Sequence, residues 1–365
     1  MTQLPNTAEQ SLLTESYLKA ARRRSRVILL RQTFSILLRM TLMLWLVATI
    51  TFIVVRALPG NPVDLYIQDL AASGMSPEEA RSKASAVLRY NVEGSFLEQY
   101  VQYFRNVLRG DLGVSSILSP NSPVLPMIVS RLPWTILSVG IALTLSFLIG
   151  VRLGLIAATR RHTWMDHLIS NTWAAIDSVP AVLLAVLSVL LLGVVWKVVP
   201  LELMRGAYSP DVMPGFNWAF VKSAALHYIV PGSVYTLTSL GGWVLAMRSN
   251  AMSAVSDDYV HVARARGLSE ERIRDAYIGK NAILPLVTGF AIALGFTVSG
   301  SVLIEKVFVT PGVGQLLADA IARRDYPIMQ GIVLITTFAV LIATAVADAM
   351  YTWLDPRIRL GDEAS

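Results

Sequence analysis

The feature that most constrains this chain is the recurrence of apolar runs long enough to cross a bilayer: Phe34 to about Val55, then 134–158, 171–196, 229–247, 285–304 and 331–354. A helix needs ~20 apolar residues to traverse the hydrocarbon. Within lipid its backbone polar groups must pair internally, which leaves helices as the way to use such runs. The sequence therefore predicts an all-α membrane protein of six transmembrane helices. Its 54% hydrophobic and 15% charged residues over 365 positions fit that class and exclude a soluble protein of this length. With no cysteine, disulfides and thiolate metal ligands are excluded too.

A net charge of +6 could suggest nucleic acid, but the arginines gather in particular loops without interleaved aromatics for base stacking. The charge reads instead as topology. Residues 1–33 end in Arg22, Arg23, Arg24, Arg26 and Arg31. The first run is longer than the apolar part of a signal peptide and no small-residue cleavage pattern follows, so it reads as an uncleaved span with the N-terminus inside. Arg39 is near enough to the inner end to snorkel. Threading onward puts 159–170, 248–284 and 355–365 inside, with 57–131, 197–228 and 305–330 outside. Inside segments carry 16 Lys and Arg in roughly 90 residues and outside segments 12 in roughly 135, the bias expected of a positive-inside protein. The predicted organisation is a basic tail (1–33), a first span (34–56), a small extracytoplasmic domain (57–131), the membrane domain (132–355) and a short inner tail (356–365). In the outer domain, Ser76 opens one helix and the stretch around Gln99–Leu108 reads as an amphipathic second.

Between the fourth and fifth runs lies the charged segment 256–285, SDDYVHVARARGLSEERIRDAYIGKNAILP. Asp257 and Asp258 suit a helix start, Tyr259, Val262 and Ala263 recur at helical spacing, and Arg264 and Arg266 sit where a helix end favours cations. Gly267 is placed to close that helix in a left-handed conformation. Ser269, Glu270 and Glu271 then begin a second helix, with Ile273, Ala276 and Tyr277 on its apolar face and Glu270–Arg274 as an i,i+4 pair. Pro285 marks the passage into the fifth run. The predicted unit is two short helices joined by a sharp turn on the inner membrane surface.

This segment resembles the cytoplasmic coupling loop, the EAA motif, of ATP-binding-cassette importer permeases. The matching positions are Asp258, the Val262–Ala263 pair, Gly267 and Leu284–Pro285; the usual Glu-Ala-Ala opening is replaced, and DYVHVARARGL is close to the form in the dipeptide/oligopeptide branch. Residues 305–331, EKVFVTPGVGQLLADAIARRDYPIMQG, carry a second pattern of that branch. In physical terms Pro311-Gly312 and Gly314 make a tight re-entry, Leu316 to Ile321 an apolar helix face, and Arg323-Arg324-Asp325 a polar end; the segment reads as a short outer helix sealing the bundle, with a gating role the other reading. LPGNPVD (58–64), Arg109–Gly113, 123–133 and the ending Asp355-Pro356-Arg357-Ile358-Arg359 are further landmarks of similar type, whose Gly, Pro and Asp also suit ordinary turns.

The resemblance covers about 38–360 and implies a permease subunit that works with a second permease subunit, two cytoplasmic ATPases and an extracytoplasmic solute-binding protein, in a bacterial or archaeal cell membrane with both termini cytoplasmic. It implies a docking role for Asp258, Tyr259, Val262, Ala263, Arg264, Ala265, Gly267 and Leu268, and peptides as the solute, with oligosaccharides, nickel chelates or glutathione as alternatives. ATP and Mg would belong to the partner subunits, leaving this chain without a cofactor. The residues agree: before Gly279-Lys280, Arg274 stands where a phosphate-binding loop needs its first glycine, and Asn281 stands where it needs Ser or Thr. The four histidines show no HExxH spacing, His162 and His167 read as surface residues, and no GxSxG occurs. An ion-coupled secondary transporter and a membrane-embedded enzyme are the rival classes; the first lacks evident internal repeats and the second a catalytic constellation.

Two acids fall within the runs, Asp177 and Asp348. An intramembrane charge is expensive and is by default functional. Asp348, near the DPRIR ending, suits packing or topology. Asp177, with Ser178 and Pro180, is the candidate for the translocation pathway, where a proline frees a backbone carbonyl; lining the path and satisfying that carbonyl are equal readings. The outer loop from Trp196 to His227 is extended and aromatic, and its Phe216 and Trp218 suit interfacial anchoring, with sugar stacking as the other reading.

Overall fold

A computed structural model describes residues 34–55, 67–68, 70–88, 95–300 and 302–354. The arginines before the first span, LPGNPVD, the side chain of Asp348 and the DPRIR ending lie outside them. The chain divides into two compact units, 1–50 and 51–365.

The described residues are helical, with an isolated bridge, Val114–Pro123, and no strand among them. In order they form α1 (Phe34–Val55), α2 (Pro77–Leu88), α3 (Phe96–Leu108), α4 (Val124–Thr159), α5 (Trp164–Asp177), α6 (Ala181–Val195), α7 (Trp218–Val255), α8 (Asp258–Ala265), α9 (Glu270–Ala282), α10 (Leu284–Phe296), α11 (Val302–Phe308), α12 (Val313–Arg323) and α13 (Tyr326–Leu354). The last seven residues of α6, Val189–Val195, widen into i→i+5 turns, as do Ile273–Gly279 within α9.

Among the described residues four helices are long and apolar enough to cross a membrane unaided: α1, α4, α7 and Tyr326–Ala347 of α13. The third and fifth predicted runs are not straight spans. The third is α5 and α6, bent by 91°; the fifth holds α10, which is joined across a 54° bend to α9 of the charged hairpin, so the count reaches six only if each bent pair is one span. Proline supplies a physical reason at both breaks. Pro180 begins α6, and Pro285 stands in the first turn of α10, each a position where the missing N–H is harmless while continuation of the preceding helix is not. Asn250 donates to the carbonyl of Ala282 (3.2 Å), satisfying one backbone group at the second break.

Helices α4 and α7 form the central pair. Gly150 and Gly154 let their backbones meet: a Cβ on Gly154 would lie 2.4 Å from Val244 O and 2.8 Å from Met247 Cβ. Such small-residue contacts are how helices approach closely without an aqueous driving force. On α4, Leu137, Ile141, Leu145 and Leu148 are roughly half exposed at three- and four-residue spacing, an apolar stripe suited to lipid or another membrane subunit.

Candidate coupling site and its surroundings

The hairpin after α7 forms as its sequence predicts at the turn. Gly267 has φ +73°, its N–H bonds Arg264 O (2.9 Å), and Leu268 N–H bonds Ala263 O (3.4 Å). Glycine is needed for that backbone conformation, whereas a Cβ there would have no atom within 4 Å. Ser269 Oγ accepts from Arg272 N–H (3.4 Å), starting α9.

Three local expectations change. Asp257 occupies the cap position of α8 but makes no side-chain cap bond. The inward face of α8 is Val260 and Ala263, both fully or almost fully buried, while Val262 is 53% exposed; the helix is rotated relative to the apolar pattern read from Tyr259, Val262 and Ala263. Finally, Glu270 pairs with Arg264 across the turn (3.3 Å), and Arg274 pairs with Asp275 (2.8 Å), so the Glu270–Arg274 pair does not form. The wide turns that begin at Ile273 alter the i,i+4 register on which it depended.

The structure brings the predicted coupling residues together as one two-sided element. Val260 and Ala263, with Tyr259 and Leu268 at the margin, pack into a cluster with Leu155 and Ala158 of α4, Met247, Ala251 and Ala254 of α7, and Ile273 and Ile278 of α9. Burying a side chain such as Ile273 contributes about 1.5–3 kcal/mol. Outward, Asp258, Val262, Arg264, Ala265 and Gly267 are exposed. Asp166 braces the loop between α4 and α5 against α7; set between His162 and His167, it carries no local sign of its burial. Its buried carboxylate takes Arg248 Nε (2.6 Å) and Nη2 (2.9 Å), and also accepts from His162 N–H and Ser170 Oγ. His162 and His167 themselves are exposed, as expected.

Asp177, Ser178 and Pro180 meet at the 91° break between α5 and α6, and all are exposed. Ser178 Oγ donates to Ala175 O (2.7 Å). Gly241 of α7 makes room for Asp177, since a Cβ there would lie 2.7 Å from Asp177 Cβ. Helix α7 therefore carries both candidate regions, Gly241 against Asp177 and Ala251 and Ala254 in the coupling cluster.

In the 305–331 segment two carboxylates organise the structure. Glu305 is 1% exposed; Oε1 accepts from Thr135 Oγ1 (3.1 Å) and Oε2 from Gln315 N–H (2.9 Å), while Thr135 Oγ1 accepts from Val313 N–H (2.8 Å). Its carboxylate thus serves the first turn of α12, where unpaired N–H groups and the helix dipole favour an anion. A Cβ on Gly300, Gly312 or Gly314 would each overlap it, and Gly300 also has φ +66°. Glu305 lies outside every candidate span. Burial pushes its carboxyl up to about 7, opposed by the Gln315 N–H, the Thr135 hydroxyl and the Gly314 N–H. An acid surrounded by glycines at positions 300, 312 and 314 was the available sequence signal.

Asp325 is not a polar helix end but fully buried. It accepts from Ser115 Oγ (2.6 Å) and from the N–H groups of Ile117 and Leu118 (both 2.9 Å), tying the loop after α3 to the start of α13. Arg323 and Arg324 remain exposed, and on α12 Leu316 points inward whereas Ile321 is exposed.

Residues 150–360 match the family model for the binding-protein-dependent transport system inner membrane component. A Brucella abortus (strain 2308) protein named for a peptide transport system permease is 31% identical over 314 residues, covering 86% of this chain and 94% of that protein. The oligopeptide transport system permease protein AppB of Bacillus subtilis (strain 168) is 27% identical, and the dipeptide transport system permease protein DppB of Escherichia coli (strain K12) 29%, with the same coverage. A bundle of apolar helices carrying an exposed charged hairpin, matched over most of its length to these permeases, belongs to the family of binding-protein-dependent transport system inner membrane components.

Proposed function

We propose that this chain forms half of the translocation pathway of an ATP-driven importer for peptides and receives force through the hairpin of α8 and α9. The observation that carries the reading is the two-sidedness of α8. Its outer surface offers Asp258, Val262, Arg264 and Ala265 to a partner, while Val260 and Ala263 lock it to α4, α7 and α9. A push on the exposed side is thereby a push on the inner ends of the bundle helices, because a close-packed cluster moves as a body.

Membership of the family supports the rest of the proposed machine: two cytoplasmic ATPases that bind ATP and Mg, a second permease subunit to complete the pathway, and an extracytoplasmic binding protein that delivers solute. ATP closure of the ATPases draws the two coupling hairpins together and turns the permease pair outward; hydrolysis releases it. This chain hydrolyses nothing itself. Asp177, with Ser178 at the break of α5 and α6, lines the path, on the rule that an intramembrane carboxylate stands where charge has a use. Peptides are the solute class because the named relatives above are peptide, oligopeptide and dipeptide permeases.

The test is Gly267→Val in the assembled transporter. A β-branched residue at φ +73° strains the turn without meeting any neighbour, so membrane insertion is retained while solute-stimulated ATP hydrolysis and peptide uptake are lost. Normal stimulation of hydrolysis by loaded binding protein in that variant would refute the coupling role of the hairpin.

A further inference from the structure

Helix α3, Phe96–Leu108, is built as an amphipathic helix and is only half used. Ser95 and Glu98 form a reciprocal cap that fixes its start, and among its residues none is buried. One apolar sector closes on the end of the first span: Phe52 of α1 is completely buried, with its ring 5.4 Å from Phe96, 5.3 Å from Tyr100 and 5.2 Å from Tyr103. The adjoining sector is bare. Leu97 is 68% exposed, Val101 54% and Leu108 84%. Glu98, Gln99, Gln102 and Asn106 lie on the far side at helical spacing, and Arg105 and Arg109, both exposed, follow Val101 at four-residue intervals along its border.

We propose that α3 lies in the membrane–water interface with Leu97, Val101 and Leu108 inserted among the lipids and Arg105 and Arg109 against anionic headgroups. Three observations support that occupant. Phe52 is near the end of a membrane span and is the ring on which α3 rests, so the helix is held at the level where the span leaves the hydrocarbon. Ile53 and Val54, next to Phe52 in that span, are themselves about half exposed, so the span end against which α3 packs still offers apolar surface to lipid. The arrangement of an apolar strip bordered by arginines is that of helices that lie in the interface plane, whose binding combines buried apolar area with attraction to anionic lipid. The role is an anchor that fixes the loop joining the first span to α4, which Asp325 clamps further along.

The chain lacks cysteine, so one reporter can be introduced in this subunit, the other subunits being used with their own cysteines replaced. In the complete transporter reconstituted into vesicles of neutral and anionic phospholipid, bimane is attached at Val101→Cys or, on the polar side, at Gln102→Cys. Lipids carrying a nitroxide near the headgroup are expected to quench the Val101→Cys probe several-fold more than the Gln102→Cys probe, with aqueous iodide showing the reverse order. Arg105→Glu with Arg109→Glu should remove the extra quenching gained when anionic lipid replaces neutral lipid. Protection of Val101→Cys from both quenchers would place a protein subunit over this face and overturn the proposal. Equal quenching at the two sites would overturn it as well, and ATPase and uptake assays on each labelled complex confirm that the folded machine is being read.

Discussion

Two glycine-marked regions of this molecule are built on opposite principles. At Gly267 the backbone is left-handed and an added Cβ would touch nothing, so the turn is set by local conformation in an exposed hairpin. At Gly300, Gly312 and Gly314 the glycines leave room for one buried carboxylate, Glu305, which holds α4, α11 and α12 together. The first turn keeps a surface available; the second removes one. The exposed hairpin keeps its polar groups outside, and the region that holds its own helices in register turns them inward.

The largest expected effect falls on the second turn. Gly312→Ala forces a methyl into the Glu305 carboxylate, and overpacking of this kind costs about 1–3 kcal/mol or more. Gly267→Ala carries only the left-handed backbone cost of about 1–2 kcal/mol at an exposed site. Thermal unfolding of the detergent-solubilised complex should therefore drop further for Gly312→Ala; a larger drop for Gly267→Ala would break the comparison.

Glu305→Ala strikes the same turn with an effect of comparable size, leaving the Gln315 N–H and Thr135 hydroxyl without their acceptor at about 1–3 kcal/mol for each unsatisfied group. Glu305→Gln isolates the charge. Burial raises the Glu305 carboxyl from 4.5 to about 7, so the folded state holds its proton more tightly than the unfolded state does. This contribution to stability is complete below pH 4.5 and declines as pH rises to about 7. The stability difference between wild type and Glu305→Gln should change across that window and level off above it; a difference independent of pH would show that the carboxyl is not buried as described.

Asp325→Asn should cost less. It keeps one acceptor oxygen for the 115–118 loop but loses the charge that strengthens those bonds, about 1.5–3 kcal/mol at most for hydrogen bonds to a charged group. Limited proteolysis of the loop reads the loosening directly. Smallest of all is Arg264→Ala. Its bond to Glu270 is a solvent-exposed ion pair worth about 0–1 kcal/mol, so melting should hardly move while coupled ATP hydrolysis falls. A stability loss matching that of Asp325→Asn would show that the hairpin is internally braced and not presented to a partner.

The same contrast explains what could be read from the sequence. Gly267 was legible because its work is local: apolar periodicity and charge on either side, with Ser269 restarting the next helix, define the turn within a dozen residues. Pro180 and Pro285 announced interruptions, but the 91° and 54° bends depend on how each half packs. Val262 shares helical spacing with Tyr259 and Ala263, but Val260 is its equal in composition, and only the docking of α8 on α4 and α7 chooses which valine is buried. The glycines at 300, 312 and 314 mark a close approach, but the burial of Glu305 that fills it, and that of Asp325, lie beyond local reading. Thr135 is 170 positions from Glu305 and Ser115 is 210 from Asp325, so a charged residue that the pattern marks as surface becomes a buried acceptor through long-range packing.

The most direct test of the account places a photo-crosslinker at Val262 in the assembled transporter, with the same group at His261 and Arg266 as neighbours on the exposed hairpin. The account predicts an ATP-sensitive covalent adduct between Val262 and an ATPase subunit. An intact, transport-competent complex that gives no such adduct at any of the three positions, or whose hairpin is labelled from outside sealed cells by a membrane-impermeant reagent, would contradict it.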